Sequence, residues 1–213
     1  MVRRDGAQIN PGGNDKPDGP TLDRLFAAFK SLVNRGNYQK MGFEVEKELA
    51  AAKPGTPIRL FIIRPDQLLA FTDATDPATV IEDAKQWVYP VLVGTDVRSG
   101  ATVARQGTEG SWKLISAGDQ RLARSIFQER QDDSTRTPQK PVERYFLVDT
   151  QAGNRKFLAY RSDGLAPTQT SGKGQLRFTW LGDVPDGQDK RGSAEKALVY
   201  LANQLKQRGR GPG

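Results

Sequence analysis

The stretch DVPDGQD, residues 183–189, gathers three carboxylates about a glycine turn. Carboxylate oxygens are what Ca²⁺ takes, and a Pro-Asp-Gly turn can bring the side chains of one short loop together. Asp183, Asp186 and Asp189 are therefore the metal candidates of the chain, as calcium ligands. Their spacing departs from the EF-hand pattern, in which ligands alternate along the loop and a bidentate Glu closes it. The competing reading is a plain turn followed by an acidic residue that suits the start of the final helix, where the backbone dipole favours negative charge.

Other stretches carry less. TSGKGQ (170–175) sets Lys173 between two glycines, but a phosphate-binding loop needs Ser or Thr straight after the Lys and a helix beyond it, and here a strand follows. Ser111 with Lys113 and Ser171 with Lys173 are pairs two residues apart, on predicted turns or strands, and no G-x-S-x-G or S-x-x-K elbow presents a nucleophile. Glu143 and Asp149 share one predicted strand; a glycosidase would need two carboxylates ~5–9 Å apart across a cleft, which strand spacing alone does not supply. Aromatic residues (Trp87, Tyr89, Trp112, Tyr145, Phe146, Phe157, Tyr160, Phe178, Trp180 and Tyr200) alternate with polar ones inside the predicted strands, as core-facing positions do. No catalytic residue and no cofactor are assigned.

The chain has no Cys and no His. Disulfides, thiol nucleophiles, thiolate zinc sites and iron–sulfur clusters are thereby excluded, and the usual general base and transition-metal ligand are missing. Lys and Arg exceed Asp and Glu by 32 to 25, a net charge of +7. Residues 61–110 carry four basic against seven acidic side chains, and residues 111–213 eighteen against eleven, so the C-terminal half would suit an acidic partner. The tail KQRGRGPG (206–213) has basic residues that the end of a helix already favours. No apolar run reaches the length that a bilayer requires.

These residues must be positioned by helices and short strands. Leu22, Leu25, Phe26, Phe29, Leu32 and Val33 form an apolar stripe, with Thr21 able to cap its start and Gly36 its end, so the spacing predicts a helix over 21–35. FEVEKELA (43–50) is ambiguous between strand and helix. The runs 58–65 and 67–73, parted by Pro65-Asp66, read as a hairpin or a bent strand pair. Residues 76–87 read as a helix capped by Asp76, with Pro77 at its first position. A meander follows over 88–93, 101–106 and 111–117, and then a helix capped by Asp119. A second meander, over 142–150, 155–162 and 176–183, leads to a final helix whose apolar stripe runs from Ala194 to Leu205. Both meanders end on a Trp, a Gly-Asp pair (Gly118-Asp119, Gly182-Asp183) and a helix. The recurrence, with an acidic cap that would repel phosphate, makes the Asp119 junction a packing corner and not an anion site.

The expected fold is α+β: antiparallel β-meanders, each packed by an amphipathic helix in a cystatin-like or similar helix-on-sheet layer, with the meander-plus-helix unit occurring twice. The boundaries read as a flexible tail over 1–20, a first unit over 21–130, a polar connector over 131–141, a second unit over 142–208 sharing one core with the first, and a short tail over 209–213. The function that composition favours is a non-enzymatic binding or accessory module of bacterial type, with a protein or other acidic partner reached through the basic half. The polar, turn-rich leader and the lack of Cys favour an extracytoplasmic protein whose signal has been removed over a cytoplasmic one. Two alternatives stay open: a nucleic-acid-associated protein using the basic C-terminal half, and a hydrolase built without His or Cys.

Overall fold

A computed structural model describes residues 16–106, 110–136, 140–170 and 172–208. Of the expected tails, residues 1–15 and 209–213 lie outside it. Helix α1 is Gly19–Leu32, short helix α2 is Glu48–Ala51, and strands β1 (Lys53–Pro54) and β2 (Ile58–Ile63) follow. Helix α3 (Pro65–Ala70) leads through a 3₁₀ turn at Pro77–Thr79 into β3 (Glu82–Val93), β4 (Asp96–Gln106), β5 (Ser111–Gly118) and helix α4 (Gln120–Arg136). A second 3₁₀ turn, Val142–Arg144, precedes β6 (Phe146–Thr150), β7 (Arg155–Arg161), β8 (Leu176–Leu181), β9 (Arg191–Ser193) and helix α5 (Ala194–Arg208).

Among the described residues the fold is mixed α+β, with five α-helices and one nine-stranded sheet in the order β5-β4-β3-β2-β6-β7-β8-β9, β1 pairing with β3 to one side. All pairings are antiparallel except β2 with β6, which runs parallel from Arg59↔Phe146 to Ile63↔Thr150. A parallel pair needs a long crossover, and β3 to β5 with α4 provide it. The register sets Arg59 beside both Trp87 and Phe146, so these lie on one face. On that face α1 covers Trp87, Tyr89, Val91, Ala101 and Val103, while α5 covers Phe146, Phe157, Phe178 and Trp180. The opposite face buries Ile58, Val88, Leu147 and Leu158 against Ile126 of α4. Between the two clusters of the first face sits the Arg59–Asp83 ion pair, 2.7 Å, its guanidinium 5.7 Å from the Phe61 ring centre and 5.8 Å from that of Trp87.

Several boundaries differ from the sequence reading. Helix α1 starts earlier, because Asp18 and not Thr21 is its cap, accepting from the Thr21 N–H at 2.9 Å. Residues 65–70 form helix α3 in place of a hairpin strand: Pro65 sits at the first helical position, where its missing N–H costs nothing, and the Gln67 side chain accepts from the Arg64 N–H. Asp76 does cap, accepting from the Ala78 N–H at 3.0 Å, but the expected helix lasts one 3₁₀ turn before β3 begins. Its apolar stripe was that of a strand buried on both faces, since Trp87 faces α1 and Val88 faces α4. Glu143 falls in a 3₁₀ turn and not on the strand with Asp149. Helix α4 runs on to Arg136, into the expected connector.

Candidate functional site

The site is built by the end of the chain. On β8, Leu176, Phe178 and Trp180 point inward by strand alternation, and Trp180 lies 4.5 Å from the Phe157 ring centre, which fixes its indole. Gly182 (φ 93°) and Gly187 (φ 72°) adopt left-handed backbone, so the chain reverses there, and the Gln188 N–H closes the turn on the Pro185 carbonyl at 3.0 Å. The return strand β9 pairs Arg177↔Ser193 and Phe178↔Gly192, and α5 starts at once, the Lys196 N–H donating to Ser193 Oγ at 3.4 Å. Between β8, this turn, β9 and the first turns of α5 lies a pocket of about 500 Å³. Its apolar side is Phe178, Trp180 and Tyr200, the last edge-on to Trp180 at 6.3 Å and 84°. Its polar side carries Asp73, Asp189, Ser193, Glu195 and Lys196.

Three of those groups are carboxylates, and among the described residues no ion pair is formed by Asp73, Asp189 or Glu195. Glu195 Oε1 accepts from the Gly174 N–H at 2.6 Å, while its Oε2 is buried without a hydrogen-bond partner. On the other side of the same loop the Gly172 N–H donates to Asp76 Oδ2 at 3.3 Å. Two backbone donors of the 170–175 stretch, those of Gly172 and Gly174, are thus turned toward this chain's own carboxylates.

The calcium candidates do not converge. Asp183 is exposed at the end of β8, its carbonyl accepting from Arg155 Nη1 at 3.2 Å; Asp186 is exposed in the turn; Asp189 alone reaches the pocket wall. No group of three potential metal ligands occurs among the described residues. Ser111 and Lys113 are exposed on edge strand β5, Lys173 is exposed, and Ser171 lies outside the described residues. Asp149 is paired with Lys156 at 3.0 Å. Of the aromatics, Trp87, Tyr89, Tyr145, Phe146, Phe157, Tyr160, Phe178 and Trp180 are buried, whereas Trp112 and Tyr200 are half-buried. Asp73, Ser193, Glu195 and Lys196 were missed by sequence reasoning. The signal was faint: a Glu-Lys pair in the first turn of a helix, which capping explains equally well.

A second group of titratable side chains lies under the C-terminal half of α4. Asp133 Oδ2 accepts from the Tyr145 hydroxyl at 2.5 Å and from Lys140 Nζ at 3.2 Å. Burial opposes ionisation of Asp133, yet these two hydrogen bonds together with the charges of Lys140 and Arg191 outweigh it and hold the carboxyl below its ordinary value. Burial, and then the Asp133 acceptor, push the Tyr145 phenol up. Glu129 accepts from Lys190 and Arg191, which likewise outweigh its burial and lower its pKa. Arg130, 4% exposed, spans three backbone carbonyls, those of Thr56, Pro57 and Val142, and burial lowers its pKa to about 10. Perturbed groups can mark function. Here both carboxylates are hydrogen-bonded from outside α4 and Arg130 reaches three carbonyls beyond it, with only the Nε atoms of Arg130 and Arg191 buried without a partner, which makes the cluster a clamp holding α4 across the sheet.

The Asp119 corner has the geometry of a cap: its carboxylate accepts from the Leu122 N–H at 3.2 Å, and its backbone is left-handed at φ 53°. Gly182-Asp183 is not its equivalent, because the loop and β9 separate it from α5. Comparison with protein-family models, with curated proteins and with solved structures gave no match.

Proposed function

We propose that this protein is a non-enzymatic binding module whose ligand site is the pocket between β8, β9 and the start of α5. One observation carries the reading. An aromatic-sided pocket of ligand size is rimmed by carboxylates that form no ion pair among the described residues, while the carboxylates under α4, Asp133 and Glu129, are each ion-paired. The finer reading of the fold belongs to the same proposal: a meander-plus-helix unit occurring twice, about the parallel β2–β6 pair, each a helix-on-sheet layer of the cystatin kind. So does a bacterial, extracytoplasmic setting, which rests on composition.

Against the nucleic-acid alternative stands the pairing of five of the eighteen basic residues in 111–213. Lys140, Lys156, Arg161, Lys190 and Arg191 of the C-terminal half are committed to Asp133, Asp149, Asp163 and Glu129. The test is an amide NMR titration with a mixture of small fragments of all charges. Binders are expected to shift Gly192, Ser193, Lys196 and the Trp180 indole N–H. Shifts confined to other surfaces, such as the groove between α1 and β5, would overturn the assignment.

A further inference from the structure

From the charge and chemistry of its walls we infer that the pocket takes a small organic cation, an alkylammonium or guanidinium on a short apolar stem. The inference rests on this pocket being the ligand site. Asp73, Asp189 and Glu195 supply three negative charges to the lining, and Lys196 is the one basic residue in it among the described residues. An anion would find the α5 N-terminus attractive, but Glu195 already stands in that first turn, and an anion would enter against the two further carboxylates. The other carboxylates that border grooves on this sheet differ. The groove at Asp133 also holds Lys140, Arg177 and Arg191, the groove between α1 and β5 holds Arg24 and Lys113 without a carboxylate, and in the groove lined by Asp119 and Asp149 the latter is paired with Lys156.

The apolar side suits the same ligand. Tyr is a face that a cation can use, and half-buried Tyr200 presents one, backed by the buried Trp180; the stem of the ligand would lie along Val199 and Tyr200. A volume of about 500 Å³ sets the scale at a small molecule or one long basic side chain.

The probes are four compounds: pentylammonium and agmatine as cations, pentanol and pentanoate as matched neutral and anionic controls. An acetylated, amidated Gly-Arg-Gly peptide forms a further arm that separates a free cation from one carried on a polypeptide. The expected result is saturable binding of the cations, with shifts at Gly192, Ser193 and the Trp180 indole. The controls bind more weakly, and affinity falls as salt rises from about 20 to 200 mM. The double variant Asp73→Asn/Asp189→Asn should weaken cation binding about tenfold or more, and Lys196→Gln should strengthen it. All three positions are exposed, and thermal melts equal to the parent's will show that folding is intact. Pentanol or pentanoate binding as tightly as pentylammonium overturns the cation inference. So does silence of every cation at these residues in a protein whose pocket still answers to uncharged fragments; either result leaves the pocket standing. Silence to the fragments as well removes both readings.

Discussion

Removing the hydroxyl of Tyr145 tests whether the cluster under α4 is a clamp. Its O–H donates to Asp133 at 2.5 Å, with both side chains largely shielded from water, so Tyr145→Phe removes a hydrogen bond to a charged acceptor. Such bonds contribute about 1.5–3 kcal/mol. Lys140 remains bound to Asp133, which holds the expected loss to the lower half of that range. Asp133→Asn loses the charge for both donors and should cost as much or more. In a double-mutant cycle by urea denaturation the two changes should couple by about 1 kcal/mol or more. The pH dependence has a definite sign. The folded-state pKa of Asp133 is lowered, so its contribution is complete above the unfolded carboxyl value of about 4 and is lost as pH falls through the lowered one. The folded-state pKa of Tyr145 is raised, so its contribution is complete below about 10 and is lost as pH climbs toward the raised one. The stability gap between parent and Tyr145→Phe should therefore be flat in the neutral range and shrink at both extremes. A gap under about 0.5 kcal/mol at pH 7 would refute the clamp and return the cluster to the candidates for chemistry.

Asp119→Ala should cost about 1–2 kcal/mol in thermal or urea melts, through the lost cap and the left-handed backbone at φ 53°. Asp119→Asn should cost a few tenths, because Asn both caps and tolerates that backbone; equal costs would count against the corner. Trp180→Ala should cost ~3–5 kcal/mol, since the ring is 3% exposed and packed on Phe157, whereas half-buried Trp112 at the sheet edge should cost clearly less. Short DNA or RNA should bind weakly at low salt and be released at physiological salt; sub-micromolar affinity that persists there would favour the nucleic-acid reading.

The sequence exposed what depends on local periodicity and hid what depends on pairing. The apolar stripes of α1 and α5 were legible because each has one face to bury, and strands β4, β5, β7 and β8 because glycine turns bound them, even though β7 is buried on both faces. Residues 80–88 misled because β3 lies in the middle of the sheet: with Trp87 buried toward α1 and Val88 toward α4, alternation vanishes and a helical stripe appears. Pro65 misled because it starts a turn and a helix equally well. The candidate site was the least legible part. Asp189 was seen, but for calcium, and the Trp180–Tyr200 contact joins a strand to a helix through the short strand β9, which no pattern in the chain announced.

The central claim is that the pocket beside α5 is where this protein meets its ligand. A crystal structure of the protein soaked in pentylammonium and agmatine tests that most directly. Ligand density is expected along Tyr200, with a nitrogen within hydrogen-bonding distance of Asp73 or Asp189. Ordered ligand found only elsewhere, with this pocket holding nothing but solvent, would contradict it.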